Sequence, residues 1–99
     1  MNKEELLVYL KENNLKFSIY SLLKEYNLSK EDSVWVCKEA AKDHKCFIFY
    51  MIICPKCHMV IEYEYYRNMN KISKKKKCFK CKKSFEVKDI EYIYEFKSI

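Results

Sequence analysis

Two Cys-x-x-Cys pairs constrain this chain more than any other feature. The first pair is Cys54 and Cys57, the second is Cys78 and Cys81, and twenty residues separate them in a chain of 99. Each such turn brings two thiolates to one ion, and two turns together supply the four ligands of a closed tetrahedral zinc site. The spacing therefore predicts one structural zinc ion, with no open position for catalysis.

Two other uses of paired cysteines fit this chain less well. Residues 53–57, Ile-Cys-Pro-Lys-Cys, resemble the strand-to-Cys-Pro-x-Cys active site of glutaredoxins. That chemistry needs a helix after the motif to lower the thiol pKa, whereas a strand-like segment follows here. A disulfide framework is typical of exported chains, but the N-terminus is acidic and lacks the apolar core of a signal peptide. We therefore expect reduced thiols and a cytoplasmic location.

The remaining metal-ligating side chains have irregular spacing. Cys37, His44 and Cys46 allow a second metal site, but unpaired cysteines are among the most buried residues, which favours packing in the core. His58 adjoins Cys57 and is expected to lie outside the ligand set, as a donor to a ligand or exposed to solvent.

The positive charge of the chain is local. The formal net charge is +6, yet residues 1–53 hold eight lysines against eight carboxylates, while residues 54–99 hold twelve Lys or Arg against six. No carboxylate occurs between residues 71 and 83. The candidate nucleic-acid-binding residues share this basic segment, residues 67–83: Arg67, Lys71, Lys74, Lys75, Lys76, Lys77, Lys80, Lys82 and Lys83.

The same lysines have a simpler explanation. Four thiolates and one Zn²⁺ form a site of charge −2, so Lys76, Lys77, Lys80 and Lys82 are suited to neutralise it. The metal-bound chain then carries about +4. Both explanations are open on the sequence alone.

Hydrophobic periodicity divides the chain into a helical and a β half. Apolar stripes and cap residues predict helices at 2–14, 18–27 and 30–44, with Asn2, Ser18 and Ser29 at their N-termini. Continuous or alternating β-favouring residues predict strands at 46–53, 58–66 and 84–96, the last broken near residue 88, with a loop at 67–77. The expected class is α+β: three short N-terminal helices packed on a C-terminal antiparallel β module, with halves 1–45 and 46–99 fused into one compact unit.

Residues 46–97 resemble the zinc-ribbon family, whose knuckles typically read Cys-Pro-x-Cys-Gly. The first knuckle has the proline, while His58 and Lys82 occupy the positions where ribbons often carry glycine. The resemblance implies a β module stabilised by one zinc ion in four cysteines.

Residues 18–44 resemble, in pattern, the second helix, turn and third helix of a winged helix-turn-helix. A DNA-reading helix exposes a positive surface, whereas the lysines here are matched by carboxylates. We therefore expect the helical half to pack on the ribbon or to dock a protein, with Trp35 as the candidate partner-binding residue.

Composition removes several classes of function. Glycine is absent, so glycine-rich phosphate loops cannot be built, and the longest apolar run, Cys46–Cys54, is too short to cross a bilayer. Nothing resembles a catalytic set, which predicts a protein that is no enzyme and takes no small-molecule substrate. The expected partner is DNA or RNA at the basic segment, or alternatively a larger protein assembly at the helical half, with no membrane partner.

Overall fold

The computed structural model describes residues 1–66, 74–88 and 90–98, and in these it contains three helices and six strands. In chain order they are α1 (Lys3–Glu12), β1 (Lys16–Phe17), α2 (Ile19–Lys24), α3 (Lys30–Ala41), β2 (Cys46–Ile53), β3 (Val60–Tyr65), β4 (Lys75–Lys77), β5 (Ser84–Glu86) and β6 (Glu91–Phe96). This confirms the α+β class, with the three helices in the N-terminal part and all strands except the two-residue β1 after them.

Side-chain caps begin all three helices at the predicted residues. The Asn2 side chain accepts a hydrogen bond from the Glu5 N–H at 2.8 Å, and Ser29 Oγ accepts one from the Asp32 N–H at 3.1 Å. Ser18 and Ser21 form a reciprocal capping box. Each cap satisfies an N–H group that has no partner within its own helix.

The strands form two sheets. The larger has the order β1-β6-β2-β3, and the smaller pairs β4 with β5. The β1–β6, β2–β3 and β4–β5 pairs are antiparallel. Residues 54–59 join β2 to β3 and residues 78–83 join β4 to β5, so each Cys-x-x-Cys pair lies in the turn between two antiparallel strands.

The chain divides into two compact units. The first, here called the helical unit, comprises Met1–Ile48 and Ile93–Ile99. Its core consists of eight buried side chains, with further apolar residues packed around them: Leu6, Leu10, Phe17, Leu22, Val36, Cys37, Ala40 and Phe96. Phe17 of β1 stacks on Tyr94 and Phe96 of β6, so the C-terminal strand completes a core begun by the helices.

The second unit, here called the zinc unit, comprises Phe49–Tyr92. Its buried side chains among the described residues are Tyr50, Ile52, Cys54 and Cys78. The Tyr50 hydroxyl donates to Glu62 at 2.6 Å, and Lys76 Nζ donates to the same carboxylate at 2.9 Å. Besides the two thiols, only Tyr50 and Ile52 are buried among the residues of this unit that the structure describes, and two side chains supply little apolar core.

The structure corrects one predicted segment and adds one element. The loop expected at 67–77 contains strand β4 at Lys75–Lys77, and residues 67–73 lie outside the described part of the chain. Strand β1 is absent from the sequence prediction, because two residues are too few for a periodic pattern. The single strand expected at 84–96 is two strands, β5 and β6, which belong to different sheets and separate near the expected break at residue 88. No helix in the described ranges is both long and apolar enough to span a bilayer.

Candidate metal centre

The four predicted cysteine ligands lie together. Their Sγ atoms are all within 4.8 Å of one another, with Cys54 to Cys81 at 3.7 Å and Cys57 to Cys78 at 3.5 Å. A tetrahedron with Zn–S bonds of about 2.3 Å has S–S edges of about 3.8 Å, which these distances approach. All four thiols are free rather than disulfide-bonded. The chain therefore carries a zinc-binding module suited to one ion.

The two turns that present the thiols have the same backbone geometry. In the first knuckle, residues 54–59, the Cys54 N–H donates to the Met59 carbonyl and the His58 N–H donates to the Cys54 carbonyl, both at 2.9 Å. In the second knuckle, residues 78–83, the Cys78 N–H likewise donates to the Lys83 carbonyl at 3.0 Å. This repeated pattern holds the thiols of each pair on one side of their turn.

Neither knuckle uses glycine where the chain turns left-handed. His58 has φ of 62° and Lys82 has φ of 65°, both in the region where a Cβ atom costs free energy. Both are positions where zinc ribbons often carry glycine. The turns form with a local strain of order 1 kcal/mol at each residue.

Backbone N–H groups favour the thiolate form of the first cysteine in each pair. The N–H groups of Cys81 and Lys80 lower the pKa of the Cys78 thiol to about 6, against the opposing effect of burial. In the first knuckle the N–H of Cys57 likewise lowers the pKa of Cys54. A thiolate is the species that binds metal, so the turns prepare these two ligands before an ion arrives.

The other cysteines do not join the metal set. Cys37 is buried in the core of the helical unit, as expected, and burial raises the pKa of its thiol to about 11. Cys46 packs against the same core, and burial raises its thiol pKa to about 11 as well. The His44 side chain is 81% exposed and lies 3.8 Å from Asp43. Within the described residues, the only cluster with metal-binding geometry is the four-cysteine set.

A strand, not a helix, follows the first Cys-x-x-Cys pair. The chain passes from Cys57 through the left-handed His58 directly into β3. The helix that would face the thiols of a glutaredoxin-type site is therefore missing from this segment, and both thiols lie beside those of the second pair.

The described lysines of the basic segment differ in their surroundings. Lys76 is half-buried and forms an ion pair with Glu62 at 2.9 Å. The others are exposed: Lys74, Lys75, Lys77, Lys80, Lys82 and Lys83. Arg67 and Lys71 lie outside the described residues. The structure thus places six exposed lysines on the β4–β5 hairpin and the residue before it.

Trp35, the candidate partner-binding residue, is half-buried on α3. It packs against the core of the helical unit, and the Lys3 ammonium lies 4.9 Å from the centre of its ring. The more exposed aromatic rings are elsewhere, and in the zinc unit they include Tyr63, Tyr66 and Phe79.

Sequence reasoning missed two site residues. Glu62 links Tyr50 and Lys76, and only the pairing of distant strands brings these three together. Phe79 is 59% exposed at the tip of the second knuckle. A usable signal existed for Phe79, because the two middle residues of a Cys-x-x-Cys turn point away from the metal when both cysteines bind it.

Comparison with known proteins adds nothing to the geometry: no protein-family profile, curated protein or solved structure matches this chain. The argument for function therefore depends on the metal centre and on the charge and exposure of the surrounding residues.

Proposed function

We propose that this chain is a non-enzymatic zinc-ribbon protein that binds nucleic acid through the basic segment, residues 67–83. The observation that carries the proposal is the division of charge. The helical unit holds nine lysines and nine carboxylates, whereas the zinc unit holds eleven Lys or Arg against five carboxylates, a net charge of +6. A chain that concentrates its positive charge in one unit and leaves the other neutral is typical of binding to a phosphate backbone.

Neutralisation of the zinc site accounts for only part of this charge. A four-thiolate site contributes −2, which leaves the zinc unit at about +4. Lys77, Lys80, Lys82 and Lys83 are exposed and have no described carboxylate within ion-pair distance. When such lysines contact phosphates, they release the cations condensed on the nucleic acid, which favours binding.

We assign the zinc unit to the zinc-ribbon type and the helical unit to a winged-helix-like type. Two metal-binding turns, each joining antiparallel strands, support the first assignment. Three helices followed by paired strands support the second. Because the helical unit has no net charge, the zinc unit makes the contacts with the phosphate backbone in this proposal, and α3 does not contact the bases.

A salt titration with matched variants tests the proposal. Fluorescence anisotropy of labelled DNA and RNA should show affinity falling steeply with salt. Replacing three exposed lysines of the second knuckle and its flanks by glutamine should reduce the magnitude of the salt slope by about 2 to 3, since each lost phosphate contact removes roughly 0.7 to 0.9. The variant is Lys77→Gln, Lys80→Gln and Lys83→Gln.

The matched control removes the same charge from the helical unit: Lys24→Gln, Lys30→Gln and Lys38→Gln. All three lysines are exposed, and the control should bind like the original protein. Zinc content, measured on every sample, verifies that the metal site is intact. Absence of binding at low salt, or equal losses in both triple variants, contradicts the proposal.

An adaptor role in a larger protein assembly is the second candidate. Four large apolar side chains of α1 and α2 favour it, because each is at least 40% exposed: Val8, Tyr9, Ile19 and Tyr20. In this case Tyr20→Ala should abolish a protein interaction and leave the zinc content unchanged. Purification of the tagged chain from its own cells, with and without this substitution, distinguishes the two functions.

A further inference from the structure

Phe79 is an apolar ring in the most basic part of the molecule. It lies between Cys78 and Lys80 at the tip of the second knuckle and is 59% exposed. In the described part of the chain, no other aromatic ring stacks on it. Full burial of a phenylalanine side chain contributes about 1.5 to 3 kcal/mol, and at 59% exposure this ring forgoes a large part of that free energy.

The zinc turn itself does not require an aromatic residue there. The equivalent position of the first knuckle is Pro55, and both knuckles have the same backbone hydrogen bonds. The ring at position 79 is therefore independent of the geometry that holds the metal. The turn therefore leaves this ring available for a contact outside the chain.

Hydrogen bonds hold the backbone around Phe79 in place before any ligand binds. The Cys81 N–H points to Cys78 Sγ at 3.5 Å, and the Lys82 N–H donates to the Cys78 carbonyl at 2.9 Å. With both cysteines on the metal, the turn loses little further conformational freedom when a ligand binds. Exposed lysines flank the ring on both sides in the sequence, at positions 77, 80, 82 and 83.

We propose that Phe79 is a stacking platform for an unpaired base, so that the ligand of the basic segment is single-stranded nucleic acid. This inference rests on the proposed function and narrows its substrate class. A flat apolar ring flanked in the sequence by exposed lysines matches an unpaired nucleotide, whose base has a π face and whose phosphate is an anion. In a duplex the bases are already stacked, and the ring gains no partner.

The test compares two substitutions on two probes. The probes are an unstructured labelled oligothymidine and a labelled DNA hairpin that has the same number of phosphates and a non-nucleotide linker in place of its loop, with oligouridine as the RNA form of the first. Phe79→Ala should weaken binding to the single strands by roughly 5- to 100-fold, the range of one lost base–aromatic stack. Binding to the hairpin should change less than twofold. The salt slope should stay the same, because no phosphate contact is removed.

Phe79→Trp provides the positive measurement. This variant should retain single-strand affinity within about threefold, and its added indole fluorescence should be quenched as bases stack on it. Trp35 is present in every variant and supplies the background signal, which is measured in the unsubstituted protein. Tyr20→Ala removes a ring of similar exposure, 67%, from the neutral helical unit, and should change neither probe.

The outcomes separate this inference from the proposed function. If binding depends on salt but Phe79→Ala changes it on neither probe, the stacking proposal is wrong and the proposed nucleic-acid binding stands. An equal loss on single strand and hairpin also overturns it, since the ring then supports the turn itself. No binding to either probe at low salt overturns both proposals. Unchanged zinc content in Phe79→Ala shows that the knuckle is intact.

Discussion

Removal of zinc should unfold the zinc unit and leave the helical unit folded. The structure places the eight-residue apolar core entirely within the helical unit. In the zinc unit, the described buried side chains that are not ligands are Tyr50 and Ile52. The two units therefore depend on different sources of stability.

The size of the expected destabilisation follows from the free energy of zinc binding. Binding of a structural zinc ion contributes about 10 to 16 kcal/mol near neutral pH, as much as or more than the 5 to 15 kcal/mol that stabilises a whole domain. Full burial of two apolar side chains contributes only about 1.5 to 3 kcal/mol each. Without the ion the zinc unit cannot offset the conformational entropy of its 44 residues, 49 to 92.

The assay is a nitrogen–proton correlation spectrum recorded before and after addition of a strong zinc chelator. Amide signals from residues 49–92 should collapse into the narrow range of an unfolded chain. Signals from Leu6, Leu10 and Val36 should stay dispersed, because these residues belong to the core of the other unit. The variant Cys78→Ser should give the spectrum of the zinc-free protein even when no chelator is added.

Two results would refute this reasoning. If the signals of Leu6 and Leu10 collapse together with those of the zinc unit, the core of the helical unit is not stably folded without the metal. If residues 49–92 keep their dispersion in metal-free protein, zinc is not the main source of stability there.

Three further predictions concern single side chains. His58→Gly and Lys82→Gly should each stabilise the zinc-loaded protein by about 0.5 to 1 kcal/mol in urea denaturation, because glycine adopts positive φ without strain; His58→Ala, which keeps a Cβ, should not. Hydrogen bonds from Tyr50 and from Lys76 lower the pKa of the Glu62 carboxyl below its ordinary 4.5. The ion pair of Glu62 with Lys76 therefore stabilises the fold fully above pH 4.5. This stabilisation is lost as the pH falls through the lowered pKa of Glu62. Glu62→Gln should therefore cost roughly 1 kcal/mol at pH 7 and nothing in strong acid, when urea curves are compared across pH. Leu10→Ala, at a fully buried position, should destabilise the helical unit by about 2 to 5 kcal/mol in thermal denaturation while zinc content stays the same.

Local signals in the sequence are strong enough to predict much of the fold. Asn2, Ser18 and Ser29 mark the helix starts because a side-chain oxygen satisfies the first N–H groups, a purely local interaction. The β2 strand is predicted at its observed bounds, Cys46–Ile53, by a continuous apolar run. The four metal ligands follow from spacing alone, since only two residues separate the cysteines of each pair.

Elements that depend on distant partners are not predictable in this way. Strand β4 consists of three lysines, which have low β propensity, and its extended form is imposed by pairing with β5 across the second knuckle. Strand β1 exists because Lys16 and Phe17 pair with Glu95 and Tyr94 at the other end of the chain. The contact of Lys76 with Glu62 likewise requires tertiary structure, so among the described lysines of the basic segment the sequence overstates the number exposed by one.

The placement of the zinc unit within the chain affects how fast the protein folds. Strand β6 returns to the helical unit after residues 49–92, and it must bring Tyr94 and Phe96 to Phe17 to complete the core. Closing a flexible segment of 44 residues costs about 3 kcal/mol in chain entropy. A metal ion that joins Cys54 to Cys81 first leaves about sixteen residues free and reduces this cost by about 1 kcal/mol, so refolding in stopped-flow experiments should be severalfold faster with zinc than without it.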